Sequence, residues 1–161
     1  YEGTVAAFRG IPFAEPPLGK LRWAAPQPLA SRVDRRDATR FAAACMQTMR
    51  ILDWYRDMAE TFGASRDYYA DLEVSEDCLY LNIWTRSLNP GARMPVMVWI
   101  HGGSNKSGWS YEDNYRGQVL ASQGAVVVTV AYQHGLFGFL SHPDLSIRYH
   151  PAVVPGVSTS G

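Results

Sequence analysis

The sequence predicts an α/β fold in which two parallel strands are joined by a helix. Residues 96–100 form an apolar run after a proline, which is typical of a buried strand. Residues 125–132 are valine-rich and almost wholly apolar, as expected of a central strand buried on both faces. Between the two runs, residues 115–122 favour a short helix that ends at Gly124. A strand, a helix and a second strand in this order form a βαβ unit with a right-handed crossover.

Three further elements are predicted before this unit. Prolines near the start of the chain exclude a long helix there, so we expect a short strand at residues 5–9 followed by packed coil. Apolar side chains recur at helical spacing through residues 41–62, which predicts an amphipathic helix. Leu79, Leu81 and Ile83 alternate with Tyr80, Asn82 and Trp84, which predicts a strand with one face in the core.

Length, composition and charge narrow the class of protein. The chain has 161 residues, of which 47% are hydrophobic, which is enough for one globular domain with a real core. Lys and Arg together number 15, as do Asp and Glu, and no basic stripe supports a nucleic-acid partner. The apolar runs are far shorter than a membrane span. The chain begins at Tyr1 without a basic and apolar leader, so we expect that processing or truncation removed the true start.

The segment that bears most on function is His101-Gly102-Gly103, which follows the first apolar run directly. Paired glycines at the end of a strand let the backbone turn sharply and leave N–H groups bare. An oxyanion hole needs such N–H groups, because they meet negative charge as it forms on a carbonyl oxygen. A loop of this kind supplies half of the oxyanion hole in α/β-hydrolases. A plain glycine turn between a strand and a helix explains the same residues, and the loop alone leaves both interpretations open.

Two cysteines, Cys45 and Cys78, lie 33 positions apart. Neither belongs to a C-x-x-C motif or to a spacing typical of metal ligands. Their positions leave two interpretations open, free thiols in the core or a disulfide. A disulfide closing a loop of this length adds about 3–4 kcal/mol of stability in the chain-entropy treatment. We expect no metal and no cofactor.

Four ordered segments carry a family resemblance. They are residues 8–19 (FRGIPFAEPPLG) with Leu21-Arg22-Trp23, residues 75–84 (SEDCLYLNIW), residues 101–103 (HGG) and residues 135–140 (GLFGFL). In this order they resemble the N-terminal third of the type-B carboxylesterases, the family that includes the cholinesterases. The resemblance implies the sheet of an α/β-hydrolase, incomplete here and carrying long surface loops. It also implies a serine carboxylic-ester hydrolase that acts through an acyl-enzyme on a small-molecule ester.

The resemblance also implies roles for individual residues. Gly103 and Ser104 would donate N–H groups to the oxyanion, and Gly102 would shape the loop. Relatives often carry a third glycine where Ser104 stands, but a backbone N–H does not require glycine. Gln133-His134 occupies the place of a usual Arg-Leu pair, so we expect the ion pair of that arginine to be lost.

Two structural pairs follow from the same resemblance. Cys45 and Cys78 would form the family's first disulfide, and Arg22 and Glu76 would form a salt bridge behind the active site. A cysteine pair of this kind favours a secreted or periplasmic protein and leaves a cytoplasmic one open.

The catalytic serine is not found in this sequence. The nucleophile of this fold stands in Gly-x-Ser-x-Gly on a strand-to-helix turn, and no serine of this chain has that context. Residues 156–160 come nearest but lack the final glycine. In this fold the triad runs in the order serine, acid, histidine. All four histidines of this chain precede any possible nucleophile, so we expect none of them to be the triad base. We therefore expect residues 1–161 to be the N-terminal portion of a single domain, truncated before the nucleophile elbow, with the triad after Gly161.

The remaining features are expected to be structural. His101 is expected to fix the glycine loop, and the other histidines are expected at the surface or in loops: His134, His142 and His150. Trp54 is expected to pack against the core, and the carboxylates between residues 53 and 73 are expected to form a solvated face. The glycosylation sequon at residues 105–107 is expected to stay unused, since a glycan there would block the substrate.

Two functions of different classes remain open. The first is an esterase for which this chain supplies the oxyanion loop. The second is a cholinesterase-like adhesion module that keeps the fold and lacks the nucleophile. The glycine pair favours the esterase, because adhesion does not require it. In either case we expect the chain alone to be inactive. We also expect it to aggregate, because the strand at residues 125–132 would lack its next parallel partner.

Overall fold

A computed structural model describes residues 2–31 and 35–145 of the chain. Its strands are β1 (Ala6–Pro12), β2 (Ala44–Cys45), β3 (Val74–Ser75), β4 (Tyr80–Thr85), β5 (Val96–Ile100) and β6 (Val126–Val130). Its α-helices are α1 (Arg50–Thr61), α2 (Gln118–Ser122) and α3 (Gly135–Phe139). None of the helices in these ranges is long and apolar enough to cross a membrane.

The main sheet has four strands in the order β1-β4-β6-β5. β1 and β6 both run antiparallel to β4, and β5 runs parallel to β6. The predicted strand, helix and strand are therefore β5, α2 and β6, and this part of the α/β prediction is confirmed. A separate two-stranded parallel ribbon of β2 and β3 joins the segments that contain the two cysteines.

β6 is a central strand, as predicted, but only one of its faces is fully buried. Val127 and Thr129 are buried, whereas Val126, Val128 and Val130 are half-buried. The second face has less cover from the described part of the chain. The burial on both faces that the valine-rich sequence predicts is therefore wrong for this structure.

β5 forms the edge of the sheet, which corrects two predictions. All five of its residues are exposed, from 39% at Trp99 to 67% at Ile100, so the predicted buried strand is wrong here. Among the described residues β5 pairs only with β6, and β6 lies between β5 and β4. The open parallel edge therefore belongs to β5 and not to residues 125–132. The apolar run is typical of a strand that packs on both faces, but the described part of the chain leaves the side chains of β5 exposed.

β4 is the predicted strand with one face in the core, and the buried face is that of Asn82 and Trp84. Asn82 and Trp84 are buried, whereas Leu81 and Ile83 are half-buried. The amide of Asn82 makes this possible, because it donates to the hydroxyls of two neighbours and accepts from a backbone N–H. These partners are Ser110 Oγ at 3.1 Å, Thr129 Oγ1 at 3.0 Å and Gly10 N at 2.9 Å. A buried amide with its hydrogen bonds satisfied is tolerated in the core.

Trp84 anchors an apolar cluster on the inner face of β4. It packs with Val5, Ala121, Ala125 and Val127, so β1, α2 and β6 meet at its ring. Its indole N–H donates to the carboxylate of Glu2 at 3.1 Å, which satisfies the one polar atom of the buried side chain.

Helix α1 occupies only the second half of the predicted helix at residues 41–62. The first half contains β2, whose pairing with β3 competes with helix formation. Leu52 is the buried residue of α1 and packs with Ala44 and Trp109. Trp54 is 55% exposed, so the prediction that it packs against the core is wrong. Its position two residues after Leu52 places it off the buried face of the helix.

The acidic residues of this region are solvated, as predicted, and several are also paired. Arg66, in the turn after α1, contacts the carboxylates of Asp57 and Glu60, and Arg56 binds Asp71 at 2.8 Å. Such exposed pairs add little stability individually. They do hold the acidic groups on one side of α1.

Candidate functional site: the glycine loop and its cavity

The loop after β5 folds back on itself through residues in the left-handed region. Gly103 has φ of +118°, Ser104 of +54° and Asn105 of +59°. The carbonyl of Gly103 accepts hydrogen bonds from the N–H groups of Lys106 and Ser107 at 3.0 and 3.3 Å. A Cβ on Gly103 would lie 1.8 Å from the carbonyl oxygen of Ser107, so glycine is required at this position.

The two N–H groups assigned to the oxyanion are unengaged in this loop. No residue of the described ranges accepts a hydrogen bond from the N–H of Gly103 or Ser104. Both residues line a cavity of about 790 Å³. Unpaired, fixed N–H groups at a cavity can stabilise an anionic oxygen, because they need no reorganisation when the charge forms.

Gln47 holds the far side of the loop, and sequence reasoning missed it. Its side-chain oxygen accepts from Gly108 N at 2.7 Å, and its side-chain nitrogen donates to Gly108 O at 2.8 Å. The same nitrogen lies 3.1 Å from the carbonyl oxygen of Cys45. Cys45 and Cys78 form a disulfide with their Cα atoms 4.9 Å apart. The loop is therefore tied to the disulfide through one amide.

His101 lies buried at the base of the loop. Its Nδ1 lies 2.9 Å from Gly102 O, and its ring stacks on Tyr132 with centroids 4.5 Å apart. The hydroxyl of Tyr132 donates to the carbonyl oxygen of His101 at 3.0 Å. Residues at the ends of β5 and β6 thus brace the backbone on which the two free N–H groups stand.

His134 is buried, with 1% of its surface exposed, so the prediction that it lies at the surface is wrong. It does lie in a loop, which was the other position predicted for it. Its ring centroid lies 5.1 Å from that of His101 and 4.8 Å from that of Tyr132. The segment is held here because Gly135, the first residue of α3, donates its N–H to Asn105 O at 2.8 Å. His134 therefore packs against the base of the glycine loop.

Burial sets the charge of both imidazoles. It lowers the pKa of His101, with the Gly102 carbonyl and the Glu112 carboxylate acting in the opposite direction. Burial and the neighbouring His101 lower the pKa of His134 to about 4. Both rings are neutral at neutral pH, which avoids repulsion between two cations in one buried site. Within the described ranges neither ring nitrogen of His134 has a hydrogen-bond partner.

Glu112 is a second residue that sequence reasoning missed. Its carboxylate is buried and accepts from Trp109 N at 3.2 Å and from the hydroxyl of Tyr55 at 2.5 Å. It fixes the turn that follows the loop and joins it to α1. A glutamate alone in a polar segment gives no signal for this role in the sequence.

Arg22 and Glu76 form the ion pair that the resemblance implies. Arg22 Nε lies 2.5 Å from Glu76 Oε2, and a second nitrogen lies 2.7 Å from Oε1, which makes the pair bidentate. The adjacent Trp23 donates its indole N–H to Leu136 O at 2.9 Å. Next to the ion pair, Trp23 therefore contacts α3, whose residues Leu136 and Phe137 line the cavity.

The other histidines and acidic residues form no metal site in the described part of the chain, where no three His, Cys, Asp or Glu side chains meet as ligands. His142 is exposed, as predicted, and its ring lies 3.7 Å from the carboxylate of Asp144. His150 and the serines near the end of the chain lie outside the described residues. The sequon at residues 105–107 lies in the loop itself, with Asn105 exposed.

Known proteins share this arrangement of segments. The carboxylesterase family model matches residues 1–148. A fumonisin B1 esterase from Sphingopyxis macrogoltabida is 42% identical over 145 residues, covering 90% of this chain and 24% of its own. Acetylcholinesterase from Bungarus fasciatus is 41% identical over 147 residues, which cover 88% of this chain and 22% of that protein.

A solved structure titled thermophilic PNB esterase superposes with a TM-score of 0.75 at 38% identity, covering 89% of this chain and 27% of that one. The chain thus spans about a quarter of the length of the proteins it matches. On its sequence and its fold, the chain belongs to the carboxylesterase family.

Proposed function

We propose that this chain is the N-terminal portion of a longer serine carboxylic-ester hydrolase and that it supplies the oxyanion loop. The observation that carries the proposal is the pair of unengaged N–H groups at Gly103 and Ser104, which line a cavity of about 790 Å³. Membership of the carboxylesterase family supports the reaction class.

The proposed reaction begins when a serine contributed after Gly161 attacks the carbonyl carbon of an ester. The carbonyl oxygen takes up the electron pair, and the N–H groups of Gly103 and Ser104 donate hydrogen bonds to it. The triad histidine takes the proton of the serine hydroxyl during the attack. It gives this proton to the leaving alkoxide oxygen as the carbon–oxygen bond to the alcohol breaks and the carbonyl forms again. Water attacks the resulting acyl-enzyme and releases the acid.

The loop owes its proposed role to backbone fixed in advance. Gly103 and Ser104 are held in left-handed conformations, and Gln47 and Tyr132 tether the two ends of the loop. Donors that are already oriented stabilise the transition state without a reorganisation cost. Removing one such donor typically reduces the rate by about 100- to 1,000-fold.

A cholinesterase-like binding module is the second candidate. The observation in its favour is the lack of Gly-x-Ser-x-Gly in the sequence. Against it stand the free N–H groups of the loop, since a surface that only binds a partner protein gains nothing from them.

The deciding experiment uses the full-length gene product and a fluorophosphonate probe, which labels activated serines. We expect hydrolysis of 4-nitrophenyl butyrate, and a single probe adduct on a serine after Gly161 located by mass spectrometry. The chain of residues 1–161 is the matched control, and we expect neither turnover nor label. A folded full-length protein with no label and no turnover would refute the esterase and favour the binding module.

A further inference from the structure

The cavity beside the free N–H groups is cationic. Arg50 and Lys106 line it together with Gly103 and Ser104, and no Asp or Glu is among the described residues of its lining. A concave site bordered by charges of one sign attracts ligands of the opposite sign.

Neither cation is neutralised by the described part of the protein. No described carboxylate forms an ion pair with Arg50 or Lys106. Nearby arginines behave differently, since Arg56 pairs with Asp71, and Arg66 pairs with acidic residues of α1. The acidic side chains of this region are therefore engaged away from the cavity, which keeps two positive charges available at its border.

The start of α1 adds to the positive character of the same cavity. Arg50 and Ile51 lie in the first turn of this 12-residue helix and line the cavity, and the residue before them, Met49, provides no side-chain cap. The first N–H groups of a helix carry a partial positive charge. His134, only 1% exposed and without a hydrogen-bond partner among the described residues, lines the cavity as well.

The rest of the lining suits a short hydrocarbon segment. Ile51, Leu136 and Phe137 contribute apolar surface to the same lining. A ligand that fits the whole lining therefore combines a polarised carbonyl, a hydrocarbon segment and an anion.

On this basis, and resting on the proposed esterase function, we propose that the substrate is an ester that carries a carboxylate. Its ester carbonyl binds at Gly103 and Ser104, and its carboxylate binds Arg50 and Lys106. The carboxylate belongs either to the acyl part or to the alcohol part of the ester, and the lining serves both. Hydrolysis follows the reaction above, with the carboxylate as a handle that does not react.

Isosteric substrate pairs test the proposal on the full-length gene product. In the acyl pair, the 4-nitrophenyl monoester of adipic acid is compared with 4-nitrophenyl adipamate, in which a neutral amide replaces the carboxylate. In the alcohol pair, 3-carboxyphenyl butyrate is compared with 3-carbamoylphenyl butyrate. We expect kcat/KM to be about tenfold higher for the carboxylate member of one pair. The preference should shrink as salt rises from about 10 mM to about 1 M, because salt screens exposed charges.

Substitutions identify the cations responsible. In Arg50→Gln/Lys106→Gln, we expect the ratio of kcat/KM between the carboxylate and amide members to fall about tenfold. The matched control is Lys20→Gln/Arg86→Gln, which removes the same charge from positions outside the cavity, and we expect its ratio to stay within about twofold of the unsubstituted protein.

The outcomes separate this proposal from the esterase function. Turnover of the amide members, with no preference for carboxylate in either pair, overturns the anionic substrate and leaves the esterase function standing. A preference that survives in Arg50→Gln/Lys106→Gln overturns the assignment of these two residues. A folded protein that hydrolyses no member of either pair overturns the esterase function and this proposal together.

Discussion

Gln47 and Gly108 exchange two hydrogen bonds, from Gly108 N to Gln47 Oε1 at 2.7 Å and from Gln47 Nε2 to Gly108 O at 2.8 Å. An amide side chain here completes a backbone pairing, as a neighbouring strand would. It joins the segment after Cys45 to the end of the glycine loop, and the two residues are 61 positions apart in sequence. The position of the loop therefore depends on a residue that contributes no chemistry.

Replacing Gln47 tests this dependence. Gln47→Leu keeps the volume and leaves the N–H and carbonyl of buried Gly108 without partners, so we expect a loss of about 1–3 kcal/mol. The free energy of unfolding of the full-length protein in urea measures it. Gln123→Leu at the exposed end of α2 is the control, and an equal loss in both variants would contradict the role of Gln47.

The two loop glycines provide a matched pair. A Cβ on Gly103 would lie 1.8 Å from Ser107 O, whereas a Cβ on Gly102 would meet no atom within 4 Å. We expect Gly103→Ala to destabilise the loop by at least about 1–3 kcal/mol and to reduce kcat about 100-fold or more. Gly102→Ala should retain most activity. Similar activity in the two alanine variants would show that the backbone of Gly103 is not the element that matters.

Substitutions at Ser104 separate its N–H from its hydroxyl. Ser104→Ala keeps the N–H and should be mild, and Ser104→Gly should also gain stability, because φ of +54° suits glycine better than serine. Ser104→Pro removes the N–H and cannot adopt this φ, so we expect a loss of about 100- to 1,000-fold in kcat. If Ser104→Ala and Ser104→Gly both abolish activity in a folded protein, the hydroxyl carries the function instead.

Protonation of His134 should destabilise the fold in mild acid. Its pKa is about 4 in the folded protein, against the ordinary histidine value of 6.5 in the unfolded chain, so the unfolded chain binds the proton first as the pH falls. The stability from neutral His134 is complete above about pH 6.5 and is lost progressively towards about pH 4, by up to about 3 kcal/mol.

Urea unfolding of the full-length protein between about pH 7 and about pH 4 measures this loss. His134→Leu should flatten the pH dependence, and replacing exposed His142 with Asn should leave it unchanged. An equally steep dependence in His134→Leu would assign the effect to another group, such as His101, whose pKa is also lowered by burial.

Local sequence patterns predicted where the helices and strands of this fold lie better than they predicted which side chains are buried and what these contact. The β5, α2 and β6 segments and the glycine loop follow from apolar runs and turn residues, which act over short distances along the chain. Gln47, Glu112 and His134 were missed or misplaced because their roles arise from contacts between segments far apart in sequence. The alternating pattern of β4 does not show which face is buried for the same reason, since Asn82 is buried only because Ser110 and Thr129 satisfy its amide.

The exposed edge strand predicts how the chain of residues 1–161 behaves alone. β5 presents one unpaired edge and five exposed apolar side chains, which together form a template for pairing with another chain. We expect aggregation, and recovery of soluble protein when the C-terminal part of the gene product is supplied. Val98→Lys places a charge on this strand and should raise the monomer fraction measured by size-exclusion chromatography.

Val119→Lys is the matched control, because Val119 is about as exposed as Val98 but lies on α2 and not on a strand. Exposed apolar surface alone would make the two lysine variants equally soluble. An unpaired edge makes Val98→Lys the more soluble of the two, because charge on an edge strand opposes the pairing itself. A monodisperse monomer of the unsubstituted chain with a cooperative melt would contradict both explanations, since the β5 edge would then be stable without a partner.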